Sequence, residues 1–131
     1  MNLLVDTHAF VWWLNDSPRL GRGARAEFAD PTNRLWISAV SAWEIAIKVG
    51  VGRLELREPP EVCVPREIER GGFRALAVEL DHALGVVELP PHHGDPFDRL
   101  LIAQARAEGL TIVTADRVFE AYQVATLAAD R

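Results

Sequence analysis

Four carboxylates stand at places in this chain where strands end or helices begin: Asp6 after Leu3-Leu4-Val5, Glu44 within Ser38 to Val49, Asp98 within Pro96 to Ala105, and Asp116 after Thr111-Ile112-Val113. Carboxylates gathered in one crevice repel one another, so such a set takes up protons or holds a cation. All-oxygen ligands suit Mg2+ or Mn2+, and one or two such ions polarise a phosphodiester and prepare water to attack it. Metal-assisted hydrolysis of a phosphodiester is therefore the chemistry these residue types predict, provided the fold brings them together.

The elements that must do so can be read from pattern. In Gly94-Asp95-Pro96-Phe97-Asp98-Arg99-Leu100-Leu101-Ile102-Ala103-Gln104-Ala105, Asp95 is placed as a helix N-cap and Pro96 as the first helical residue. Asp98 then falls in the first turn, beside the positive end of the helix dipole. Leu3-Leu4-Val5, Leu35-Trp36-Ile37 and Thr111-Ile112-Val113 are short apolar runs of the kind buried on both faces of a parallel sheet. Ala75 to Val78 is a weaker strand candidate, and Val124 to Thr126 a last edge strand. Helices are predicted over Thr7–Leu14, near Ala24–Ala29, over Ser38–Val49 with a Val40, Trp43, Ile47 stripe, over Glu61–Arg70, Asp81–Val87 and Arg117–Tyr122, with Gly109 capping the helix that Asp95 opens. Ser41-x-x-Glu44 fits a capping box, which gives Glu44 a purely structural reading, and Ser38 fits the cap equally well.

Strands alternating with helices predict an α/β three-layer domain with a mostly parallel central sheet. In such sheets the functional crevice lies at the carboxyl ends of the strands, where Asp6 and Asp116 fall directly and Glu44 and Asp98 are within reach. With 131 residues and no repeat, low-complexity tract or linker, residues 1–131 are expected to form one domain. Hydrophobic residues at 49% and charged ones at 25% exclude wholesale disorder. No apolar run approaches the ~20 residues of a membrane helix. With no basic leader and a lone Cys63, a cytoplasmic protein is expected. A net charge of -5 argues against a broad basic grip on nucleic acid, although acids collected at a metal site would bias that sum.

The segments LLVDTHAFVWWL, ISAVSAWEIAIKVGVGRL, GDPFDRLLIAQARAEGLTIVTAD and FEAYQV, in that order, resemble the PIN-domain ribonucleases, specifically the VapC-type toxins of bacterial toxin–antitoxin pairs. Glu55 to Leu89 has little to match. The resemblance implies a PIN-like α/β/α fold, a Mg2+- or Mn2+-dependent endoribonuclease acting on RNA, a homodimer and inhibition by a cognate antitoxin. Carried over by position, Asp6, Glu44, Asp98 and Asp116 form the acidic quartet. Asp6 and Asp98 are the main ligands and Thr114 a supporting hydroxyl. Asp95 ranks below Asp98, because capping explains it.

Lys48 and Arg99 are candidate phosphate contacts that could equally pair with neighbouring acids. His92-His93 is read as loop or substrate contact rather than as a metal site, His8 as packed or facing the crevice, and the four tryptophans as core with a possible stacking surface. A haloacid-dehalogenase-like enzyme needs an acid where His8 stands, and a receiver domain needs a lysine after Lys48 that the sequence lacks. The remaining rivals are a PIN fold kept as a binding partner without turnover and a housekeeping PIN nuclease.

Overall fold

In the computed structural model, which describes residues 1–131, the strands β1 (Asn2–Val5), β2 (Arg34–Ser38), β3 (Arg74–Leu76), β4 (Thr111–Thr114) and β5 (Thr126–Ala128) form one sheet in the order β3-β2-β1-β4-β5. All four neighbouring pairs are parallel. The helices are α1 (Thr7–Leu14), α2 (Arg22–Ala29), α3 (Ala39–Gly50), α4 (Pro60–Arg70), α5 (Leu80–Gly85) and α6 (Pro96–Glu108). The order runs outward from β1 through β2 to β3, then returns through α6 to β4 on the opposite side of β1. The switch point lies between β1 and β4, where a crevice opens at the strand ends.

Alternation along the central strands sends side chains to two apolar cores. Leu3, Val5, Ile37 and Val113 join Phe10, Phe28, Ile45 and Phe73 on one face. Leu4 and Ile112 join Val40, Leu101, Ile102 and Phe119 on the other. Leu3, Leu4 and Val5 are fully buried. At about 1.5–3 kcal/mol for each such side chain, this three-residue run is a main anchor of the fold. Phe10, Trp13, Phe28 and Phe73 meet edge to face with ring centroids 5.5–5.8 Å apart, and Cys63 packs into the same core. Gly21 is required by close approach, since a Cβ there would lie 2.4 Å from the backbone of Arg131. Gly109 closes α6 at φ 67°, the left-handed conformation glycine adopts freely.

Three local expectations shift, and one left open is decided. The α3 stripe is turned: Trp43 is 59% and Ile47 38% exposed, while Val40, Ser41, Glu44 and Ile45 are buried, the polar Ser41 against the Thr7 hydroxyl and Glu44 against the Lys48 ammonium. Ser38, not Ser41, caps α3 through the Val40 N–H, and the Ser41 hydroxyl oxygen instead accepts from Thr7. The Arg117–Tyr122 segment is a 3-10 turn over Arg117–Ala121, capped by the Asp116 side chain. The last strand pairs at Thr126–Ala128 rather than Val124–Thr126, and the Ala125 carbonyl receives the Ile112 N–H just before it. No helix is long and apolar enough to cross a membrane.

Candidate active site

Asp6 leaves β1 with its backbone N–H still bonded to Val113 O on β4, at 3.0 Å, so the switch point itself fixes its position. Its side chain caps α1, Oδ1 accepting the Ala9 N–H at 2.8 Å, and Oδ2 accepts the Thr114 hydroxyl at 2.5 Å. Burial pushes the Asp6 carboxyl above the ordinary Asp value, against the opposing pull of the Thr114 and Ala9 donors. The Thr114 Oγ1 in turn accepts the Asp116 N–H at 3.0 Å. One hydroxyl thus links the acids at the ends of β1 and β4.

Glu44 projects from the second turn of α3 and is 1% exposed. Oε2 accepts from the Lys48 ammonium at 2.5 Å, one helical turn on, whereas Oε1 is buried without a hydrogen-bond partner. A buried carboxylate oxygen left unpaired is costly, so it marks a place for a cation or a bound water.

Asp98 occupies the first turn of α6, where Asp95 Oδ1 accepts both the Phe97 and Asp98 N–H groups at 2.8 and 3.1 Å. Burial is the largest influence on Asp98, followed by the negative charge of Asp95; Asp6 and Glu44 add smaller repulsions. Together they push its carboxyl up to about 6, in spite of a hydrogen bond from His93. Asp116 is the most accessible of the set, with its side chain 42% exposed. Its Oδ1 accepts the Val118 N–H, leaving Oδ2 toward the site, 3.6 Å from His93 Nε2.

Asp98 and Asp116 come within ligand reach of one another together with His93, whereas Asp6 and Glu44 lie outside that group and are related to it by charge: Asp116 acts on Asp6, and both Asp6 and Glu44 act on Asp98. Thr114 bonds to Asp6 and to the Asp116 N–H. Asp95 stands beside Asp98 as a cap, Lys48 is engaged by Glu44, and His8 is exposed. Arg99 points elsewhere, donating to the carbonyls of Val86, Leu89, Pro90 and His93 and to the Tyr122 hydroxyl, and so binds the loop before α6. Trp43 lies outside, exposed and edge-on to Phe97 at 5.1 Å.

His93 is the member that sequence reasoning underrated. Its Nε2 lies 2.8 Å from Asp98 Oδ2, and ligand atoms of His93, Asp98 and Asp116 fall within 4.8 Å of one another. The signal was local. Two positions before the Asp95 cap, His93 folds back to Asp98 in the first turn of α6.

An open parallel sheet with clustered carboxylates at its switch point defines the class, and the comparisons make it specific. The PIN domain family model matches residues 3–125, and the chain belongs to that family. It is 30% identical over 116 residues to Ribonuclease VapC22 of Mycobacterium tuberculosis, covering 88% of this chain and 87% of that protein. A shorter match, 43% over 70 residues, is to Ribonuclease VapC16 of the same organism and covers 50% of this chain and 48% of that one. Among solved structures, VapBC2 from Rickettsia felis bound to a promoter DNA fragment superposes with TM-score 0.73 at 19% identity, over 97% of this chain and 98% of that one. DNA-bound VapBC from Salmonella typhimurium gives 0.71 at 16%, over 97% of each chain. These two agree with the chain in fold.

Proposed function

We propose that this chain is a metal-dependent endoribonuclease, the toxin of a toxin–antitoxin pair, and that residues 1–131 act as one PIN domain. The observation that supports the reading is the gathering of Asp98 and Asp116 with His93 within 4.8 Å, with Asp6 and Glu44 acting on Asp98 by charge and Glu44 Oε1 buried and unpaired. The four carboxylates make an all-oxygen donor set, which fits Mg2+ or Mn2+. The names of the ribonuclease relatives support RNA as substrate, and a solved structure of the same fold, a toxin–antitoxin complex from Klebsiella pneumoniae, supports a cognate antitoxin. A homodimer and a cytoplasmic location complete the proposal.

When bound, the divalent ion supplies charge neutralisation at the phosphate and lowers the pKa of water. Asp6 and Asp98 are the residues to hold it, Asp6 with its second oxygen fixed by Thr114 and Asp98 with its own fixed by His93. Glu44 offers the unpaired Oε1. Asp116, the most exposed of the four, is placed to orient or deprotonate the attacking water.

The purified, antitoxin-free protein should cleave single-stranded or loop RNA with Mg2+ or Mn2+ and not with EDTA. Binding of RNA without cleavage under any divalent ion would favour the rival, a PIN fold acting only as a binding partner. Sequencing RNA ends after brief expression, together with the neighbouring reading frame, separates a toxin from a housekeeping nuclease. Sedimentation of the isolated chain tests the dimer.

A further inference from the structure

His93 sits among the acids, and its wiring decides what it does there. The ring Nδ1 accepts the Asp95 N–H at 3.3 Å, which places the proton of the neutral imidazole on Nε2. That Nε2–H then points at Asp98 Oδ2, 2.8 Å away, with Asp116 Oδ2 at 3.6 Å. A histidine that binds metal through Nε2 needs the opposite arrangement, with Nδ1–H donating to an acceptor. Here Nδ1 faces a donor.

The ring is also held from outside the site. The His93 N–H donates to the Tyr122 hydroxyl at 2.9 Å, Tyr122 donates to Pro90 O at 3.0 Å, and Arg99 donates to Pro90 O at 2.9 Å. The ring meets Phe119 edge to face, centroids 6.3 Å apart. A loop on the surface is thereby strapped so that one N–H stands fixed against Asp98.

Resting on the divalent-ion reading above, we infer that His93 is a positioning residue for the metal site: it occupies Asp98 Oδ2 as a hydrogen-bond donor, leaves Oδ1 for the ion, and is not itself a ligand. Partners of this kind fix the orientation of a ligating carboxylate, and removing one typically weakens metal binding by about 10–100-fold. Only the imidazole changes in a side-chain variant, because Tyr122 and Arg99 hold the backbone of His93.

The test uses Mn2+ alone, titrated into the full chain and followed by loss of the free-ion electron paramagnetic resonance signal, with pulsed spectra of the bound ion. His93→Ala should bind Mn2+ about 10–100-fold more weakly while its metal-free fold is retained by circular dichroism. His93→Gln, whose amide can occupy the Nε2 position as a donor, should recover most of the affinity. The bound ion in the parent should show no directly coordinated 14N coupling. Unchanged affinity in His93→Ala, failure of His93→Gln to rescue, or a coordinated imidazole nitrogen in the parent would each overturn the inference and leave the nuclease reading standing. If the parent itself shows no saturable Mn2+ binding, both fall.

Discussion

The Thr114 hydroxyl donates to Oδ2 of Asp6 from the adjacent strand, 108 positions later in the chain, and accepts the Asp116 N–H on the same oxygen. It joins the acids at the ends of β1 and β4, as His93 joins Asp98 and Asp116. Thr114→Val keeps the shape and removes both bonds, leaving a buried carboxylate short of a donor. We expect a loss of about 1–3 kcal/mol in urea unfolding of the metal-free protein at neutral pH, with Thr114→Ser close to the parent. Equal stability of the valine variant would show that the bond is unimportant.

Asp98 is the acid whose removal should separate chemistry from folding. Asp98→Asn preserves an oxygen for the His93 donor while removing a buried negative charge surrounded by others. RNA cleavage should disappear, and the metal-free variant should melt at a higher temperature than the parent at pH 7–8. A variant that cuts as fast as the parent would remove Asp98 from the mechanism.

The same residue gives a pH dependence of stability. An ordinary Asp titrates near 3.8 and Asp98 at about 6, so between those values the folded chain holds a proton that the unfolded chain has released. Its contribution to stability is present at low pH and lost as pH rises through about 6. Asp6 is displaced in the same direction. The metal-free Tm should therefore fall between pH 5 and pH 7, and less so in Asp98→Asn. A divalent ion at a hundred times its Kd should restore about 2.7 kcal/mol at pH 7. Thermal scans across this range with and without Mg2+ or Mn2+ read both effects.

Lys48 partners one oxygen of Glu44, whose other oxygen is unpaired. Lys48→Met would leave the buried carboxylate with neither, at a cost of about 1–3 kcal/mol in the metal-free state. The loss should shrink when Mg2+ or Mn2+ is added, since the ion takes up the charge. Chemical denaturation with and without metal measures the difference. If Lys48 instead serves mainly as a phosphate contact, stability will barely change and KM for RNA will rise.

Arg99 gathers four backbone carbonyls and the Tyr122 hydroxyl. Arg99→Ala should lower stability by about 1.5–3 kcal/mol in the absence of RNA and speed amide exchange at His93. Arg99→Lys should rescue little, because a point ammonium cannot replace a planar fork. A purely RNA-dependent defect would return Arg99 to the phosphate.

Much of this architecture is legible in local pattern. Leu3-Leu4-Val5 and Thr111-Ile112-Val113 announce buried parallel strands because they have no polar face, and Asp95-Pro96 announces the start of α6 because cap and first-turn chemistry are local. The acids at strand ends and in the first two turns of helices follow from the same rules, since an α/β sheet presents those positions along one edge. What the tertiary structure decided was orientation and partnership. The turn of α3 that buries Glu44 and exposes Trp43, the choice of Ser38 over Ser41 as its cap, and the register of β5 depend on neighbours distant in sequence. So do the bond from Thr114 to Asp6 and the strap through Tyr122 that brings His93 against Asp98. Hydrophobic period and capping act within a few residues, whereas the partner of a buried polar group is set by which elements the sheet order places side by side.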